Sequence, residues 1–325
     1  MKILRKNPSR DFTVLNLTDT QLSNEEWAEG HICRRILEHT VKELINRTSP
    51  DLITISGDLS WAGNDHAYDM LASFLDGFNI PWAPVWGNHD NQGGAEYIEK
   101  LADRYMTHPY CMYEKGDSTL GNGNYVILIK ENDAPAKAII MIDSHDREPY
   151  LNSDGNTSEV WARLLPHQIT WLSDQLSYLR SIGCSDATLI LHIPIYAYRK
   201  ASNAAYRQDI IRKDVTIDLS NGNECWNEGY EGSTGVEYEA ISSYPEEDGV
   251  FDVLKKSKIV RHVLAGHDHV NNWMISYEGI KMIYGLKTGA GCYWNKLLNG
   301  GTVFKINSNG VYNVYHEYVD VSSII

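Results

Sequence analysis

FTVLNLTDTQ, residues 12–21, is an apolar run that stops on Asp19, with Gln21 two positions later. A strand that ends on a carboxylate delivers it to the C-terminal edge of a sheet, where α/β folds bind their ligands. The same pattern recurs further along the chain. Residues 51–56 run into Gly57-Asp58-Leu59-Ser60, and residues 81–86 into Gly87-Asn88-His89-Asp90. Residues 188–191 end on His192-Ile193-Pro194, and residues 259–265 lead into Gly266-His267-Asp268-His269.

Helical stretches are predicted between the early strands, over about 24–47, 65–78 and 94–105. That alternation reads as βαβ units around a largely parallel, buried sheet. Residues 124–130 and 137–142 read as a hairpin, 165–181 as a helix and 187–192 as a further buried strand. A short helix (250–256), the strand 259–265 and four strand-like runs close the chain, with Asn307-Ser308-Asn309-Gly310 as a hairpin turn. Residues 194–248 are polar and rich in Tyr, Asn, Gly and Glu; a loop of that length is usually functional or mobile. The expected organisation is two packed sheets with helices outside. All of residues 1–325 would form one domain, with the acidic insertion at about 194–248.

Composition narrows the function. The net charge of −14 argues against a nucleic-acid binder, which needs a basic footprint. A phosphate substrate held by divalent cations is still compatible, because bound metals invert the local field. No apolar run is long enough to span a membrane, and the N-terminus lacks the apolar stretch of a signal peptide. The five cysteines are scattered without metal-type pairing, which fits reduced thiols and a cytoplasmic setting. Between Ser220 and Asp248 there are eight acidic residues and no Lys or Arg, making either a lid that disfavours polyanions or a solvated face.

A single Asp or His at a strand end is ordinarily a cap or a hydrogen-bonded side chain. Five such ends carrying carboxylate, amide and imidazole would together cage two divalent cations of the Mn, Fe, Zn or Co type. The ordered set Asp-x-Gln, Gly-Asp-Leu, Gly-Asn-His-Asp, a strand-terminal His and Gly-His-Asp-His resembles the calcineurin-like metallophosphoesterase superfamily over about residues 12–285. Gly57-Asp58-Leu59-Ser60 and Gly266-His267-Asp268-His269-Val270-Asn271 look like its branch related to purple acid phosphatases, without their N-terminal domain. The resemblance implies a four-layer αββα sandwich of two mixed β-sheets flanked by helices. It also implies two metals, with Asp58 shared, Asp19 and His269 on the first, and Asn88, His192 and His267 on the second. Hydrolysis by a hydroxide bridging the metals would follow, with His89 as proton donor and Asp90 or Asp65 as its carboxylate partner.

Two positions depart from the pattern. Gln21 stands where most of the superfamily has His, and Trp61 where purple acid phosphatases supply a ligating Tyr; an indole offers only a donor. Gln21 is open to three readings: metal ligand through its amide oxygen, holder of a metal-bound water, or structural residue. Tyr196, Tyr198 and Arg199 follow His192 as candidate substrate-wall residues or a packed cover. Arg147 is a candidate phosphate contact or a surface salt-bridge partner. The leading expectation is a phosphomonoesterase acting on a small or medium-sized phosphoester. A phosphodiesterase or nuclease, and a metal-binding regulatory protein of weakened activity, are the alternatives.

Overall fold

The computed structural model describes residues 1–205 and 235–325. In chain order its elements are β1 (Lys2–Arg5), β2 (Phe12–Leu17), α1 (Ile32–Thr48), β3 (Leu52–Ser56), α2 (Asp65–Asp76), β4 (Trp82–Val85), α3 (Asn88–Asn91) and α4 (Ala95–Tyr105). Next come β5 (Tyr125–Glu131), β6 (Ala134–Met141), β7 (Arg147–Leu151), β8 (Thr157–Trp161), α5 (Pro166–Ser181), β9 (Ala187–Ile190) and α6 (Ala197–Ala205). The chain closes with α7 (Val250–Ser257), β10 (Val260–Ala265), β11 (Met274–Tyr277), β12 (Ile280–Tyr284), β13 (Gly300–Asn307) and β14 (Gly310–Tyr318).

Two mixed sheets form the body. One runs β14-β13-β2-β3-β4 and the other β1-β5-β6-β9-β10-β12-β11. The strands β2, β3 and β4 are mutually parallel, as are β6, β9, β10 and β12. Pro84 sits in β4, an edge strand, where a missing N–H costs no ladder bond. Side-chain alternation decides what each face buries. On β5, Ile127 and Ile129 join the core between the sheets, whereas Val126 and Leu128 pack outward with Leu172 and Leu176 of α5 and Leu254 of α7. On the far side, Leu37, Val41 and Leu44 of α1 and Leu71 and Leu75 of α2 cover the first sheet. The result is the αββα layering. Emptying one of these positions, as in Leu172→Ala, costs about 2–5 kcal/mol.

Several local expectations need correcting. The helix α1 begins at Ile32, not near residue 24, because Gly30 is left-handed (φ 79°) and the His31 side chain caps the first turn at the Cys33 N–H. A strand at Lys2–Arg5 and the β7–β8 hairpin were not foreseen; among the described residues the hairpin strands pair only with each other. Part of the supposed long loop is the helix α6, and residues 206–234 of that insertion lie outside the described residues. The turn at Asn307–Gly310 joins β13 to β14 as expected. Among the described residues no helix is long and apolar enough to cross a membrane.

Candidate metal centre

The parallel strands of the two sheets end at one common edge. Asp19, Asp58 and Asn88 lie just past β2, β3 and β4, and His192, His267 and His269 just past β9 and β10. They converge into two buried groups. Asp58, His192 and His267 form one, and Asp19, Asp58 and His269 the other, each with ligand atoms within 4.8 Å of one another. Asp58 belongs to both. Asn88 joins the first group, its Oδ1 3.0 Å from His192 Nε2.

This convergence needs unusual backbone. Asp19, Gln21, Asp58 and His267 all have positive φ (54°, 41°, 49° and 77°). Each left-handed non-glycine residue costs about 1–2 kcal/mol, and such strain collects at functional sites. Close approach also requires glycine. A Cβ on Gly57 would stand 2.5 Å from His192 Nδ1, and one on Gly87 2.1 Å from Asp58 Oδ1. The loops are then stapled together, with the Asp19 N–H donating to the Gly57 carbonyl and the Gln21 N–H to the Asp58 carbonyl, both at 3.1 Å.

The imidazoles are oriented from behind. His192 Nδ1 donates to the Ser56 carbonyl and His269 Nδ1 to the Tyr293 carbonyl, each at 2.8 Å, so both Nε2 atoms face the centre. Charge is equally organised. Burial pushes the Asp19 carboxyl up, but His269, with His192 and Lys287, holds it below the usual carboxylate range. Burial likewise raises Asp58, and His192 outweighs it. Burial lowers His192, but the Asp58 charge lifts it to about 10. His267 is pushed down to about 3 by burial and by the positive charge of His192.

Gln21 Nε2 donates to Asp58 Oδ2 at 2.9 Å, while its Oε1 is buried with no hydrogen-bond partner among the described residues. Trp61, in place of a tyrosine, donates its indole N–H to the Gln21 carbonyl. The partly exposed His89 lies 4.2 Å from the Trp61 ring and pairs through Nδ1 with Gln92 Oε1 at 3.1 Å. Neither expected carboxylate serves that ring. Asp90 instead accepts from the N–H groups of Gly87, Leu59 and Ser60 and from the Tyr68 hydroxyl, because it faces back into the strand ends. Asp65 is taken by Tyr97 and Arg104.

The candidate substrate wall also needs correcting. Tyr198 is fully buried; its hydroxyl donates to the Val263 and Ile283 carbonyls and its ring packs on Trp273 and Tyr284, because helix α6 turns it into the outer core. The Arg199 side chain points to Ser243 and so holds the segment leading into α7, whereas Tyr196 meets Asp248 only through its backbone N–H, and among the described residues its ring carries no such commitment. Arg147 is exposed and stacks on Trp161. Asp268 is not aimed at the ligand cluster; it accepts from the Tyr284 hydroxyl and the Ser242 N–H.

Four residues escaped the sequence reading. Buried Lys287 donates to the Asp19 carbonyl at 2.7 Å; its place just past β12 follows the same strand-end pattern and was the available signal. Trp161 sets its ring 4.3 Å from His267. Tyr293 stacks on His269 at 4.2 Å and donates its hydroxyl to Glu239. The last three come from remote segments, and no motif marks them.

These residues fit divalent cations. His267 Nε2 and Gln21 Oε1 are buried and have no partner among the described residues, a cost of about 1–3 kcal/mol each that a bound cation would relieve. Imidazole nitrogen with carboxylate and amide oxygen suits Mn, Fe, Zn or Co.

The family model described as calcineurin-like phosphoesterase matches residues 12–271. Among curated proteins, Phosphatase DCR2 of Saccharomyces cerevisiae is 23% identical over 94% of this chain and 53% of its own length. This chain therefore spans about half of that relative. Probable inactive purple acid phosphatase 14 of Arabidopsis thaliana is 26% identical over 86% of this chain and 71% of its own length. The solved structure of a dimetal phosphatase from Danio rerio superposes with a TM-score of 0.59 at 14% identity, covering 94% of this chain and 98% of that one, a likeness of fold.

Proposed function

The chain belongs to the calcineurin-like phosphoesterase family, and from that premise we propose that it hydrolyses phosphate monoesters with two divalent cations held around Asp58. The observation that carries this reading is that two buried groups of ligand atoms share the Asp58 carboxylate. Such a pair of cations, when bound, supplies an activated water and neutralises charge on the phosphoryl oxygens. Asp19 and His269 would hold one cation, and Asn88, His192 and His267 the other. Gln21 would support the first side, its amide braced on Asp58.

The proton for the leaving alkoxide is assigned to His89. Its backbone N–H donates to Asp58 Oδ1 at 2.9 Å, so the donor is registered to the shared carboxylate. With Nδ1–H given to Gln92 Oε1, the other nitrogen, Nε2, is where the proton is gained and released. The Trp61 ring restrains the imidazole and keeps water from one side of it. His89→Ala in the metal-loaded protein is expected to lower kcat/KM about 10²–10⁴-fold for a monoester with a poor leaving group. The effect should be far smaller for an activated aryl ester. Equal turnover of both esters by the variant and the parent would remove His89 from this role.

A second reading is a metal-binding protein of diminished turnover. Gln21 in the usual histidine position favours it, as does the inactive designation of the Arabidopsis relative. Full occupancy by two metals without turnover of any phosphoester, in Mn, Fe, Zn or Co, would select it.

A further inference from the structure

The hairpin β7–β8 stands apart from both main sheets and meets the metal centre at its base, where Arg147 and Trp161 are directly paired across the strands. Trp161 abuts His267 nearly at right angles, with ring centres 4.3 Å apart. The Arg147 guanidinium carbon lies 3.8 Å from the Trp161 ring centre, so a single indole separates a fixed positive charge from a ligand of the centre. The preceding residue, Asp146, closes the hairpin base by accepting the Ala162 N–H, and it lies within electrostatic reach of both His89 and Asp58.

Strand alternation explains why Arg147 is left free. Residues 147 and 148 point to opposite faces, and Glu148 pairs with Arg163 at 3.3 Å. Among the described residues the Arg147 guanidinium makes no hydrogen bond or ion pair within 4 Å. The other cation near the centre, Lys287, is buried and committed to the Asp19 carbonyl. A guanidinium lying flat on an aromatic ring keeps its N–H edge open, and that edge matches two oxygens of a phosphate. A monoester phosphoryl carries one more non-bridging oxygen, and one more negative charge, than a diester.

We propose that Arg147, held flat on Trp161 beside His267, is the phosphate-recognition residue that makes this site favour dianionic monoesters over monoanionic diesters. The proposal rests on the phosphomonoesterase reading above and goes beyond it in naming the residue that sets the preference for monoesters.

The test uses the full chain loaded with manganese, an aryl phosphate monoester and the aryl methyl diester with the same leaving group. Inorganic phosphate binding is followed in parallel by calorimetry. Arg147→Met is expected to lower kcat/KM for the monoester about tenfold, leave the diester within about twofold, and weaken phosphate binding by the same order. Arg147→Lys should recover only part of both, since an ammonium has no planar fork. If the parent binds phosphate in an Arg147-dependent way yet turns nothing over, Arg147 keeps its role and the phosphoesterase reading falls. If Arg147→Met changes neither the monoester-to-diester ratio nor phosphate affinity, the proposal is overturned, whatever the turnover.

Discussion

His192 Nε2 and Asp58 Oδ2 face each other across 3.3 Å, both sealed from solvent. The rest of the ring meets acceptors too: the Ser56 carbonyl at Nδ1, and Asn88 Oδ1 at Nε2. In the metal-free protein both nitrogens therefore carry protons, which agrees with a pKa lifted to about 10 by Asp58 against the opposing effect of burial. The proton on Nε2 occupies the direction a cation would need.

Metal binding must then expel that proton. Below about pH 10 cation and proton compete for His192, so affinity at the second site should rise roughly tenfold per pH unit between pH 7 and 9 and level off above pH 10. Calorimetry in buffers of different ionisation enthalpy should register about one proton released per cation at that site. Binding without proton release near neutral pH would exclude His192 as a ligand.

Gln21, two residues past Asp19, donates its amide to Asp58 Oδ2. Gln21→Ala is expected to weaken the first metal about 10–100-fold and leave the second unchanged. Native mass spectrometry at limiting manganese should then show one metal where the parent shows two. Equal weakening of both sites would place Gln21 outside this arrangement.

Asp90 is a structural clasp. Replacing it with alanine strands the Gly87, Leu59 and Ser60 N–H groups and the Tyr68 hydroxyl in a buried space, and should cost about 3 kcal/mol or more of folding stability. Denaturant unfolding measures this directly. Unchanged stability with lost turnover would instead return Asp90 to a role in the chemistry.

Among the described residues no tyrosine is placed as a ligand. Trp61 occupies the position after the Gly-Asp motif, and the Tyr293 hydroxyl is bound to Glu239. An iron-loaded sample should therefore lack a tyrosinate charge-transfer band in its visible spectrum. A purple sample would contradict this assignment.

The candidate ligands could be picked out because each follows a short apolar strand, and parallel strands present their C-terminal ends together. Asp58 and His192 needed no three-dimensional information to be singled out. Asp90 and Tyr198 were misread for a common reason. Asp90 directly follows His89 and Tyr198 lies six residues past His192, but the local backbone directs one side chain into buried donors and the other into the outer core. The β7–β8 hairpin was missed because its strands are polar and half-exposed, leaving no periodic core face to detect.

Residue chemistry and strand periodicity, both present in the chain itself, determined two packed sheets with helices outside and which imidazoles and carboxylates were candidates. Tertiary packing alone decided that Lys287 backs Asp19, that Tyr293 stacks on His269, and that Trp161 meets both His267 and Arg147. Those relationships join segments far apart in the chain. They exist only because two sheets pack with their strand ends aligned and because strained turns let the loops come within hydrogen-bonding distance.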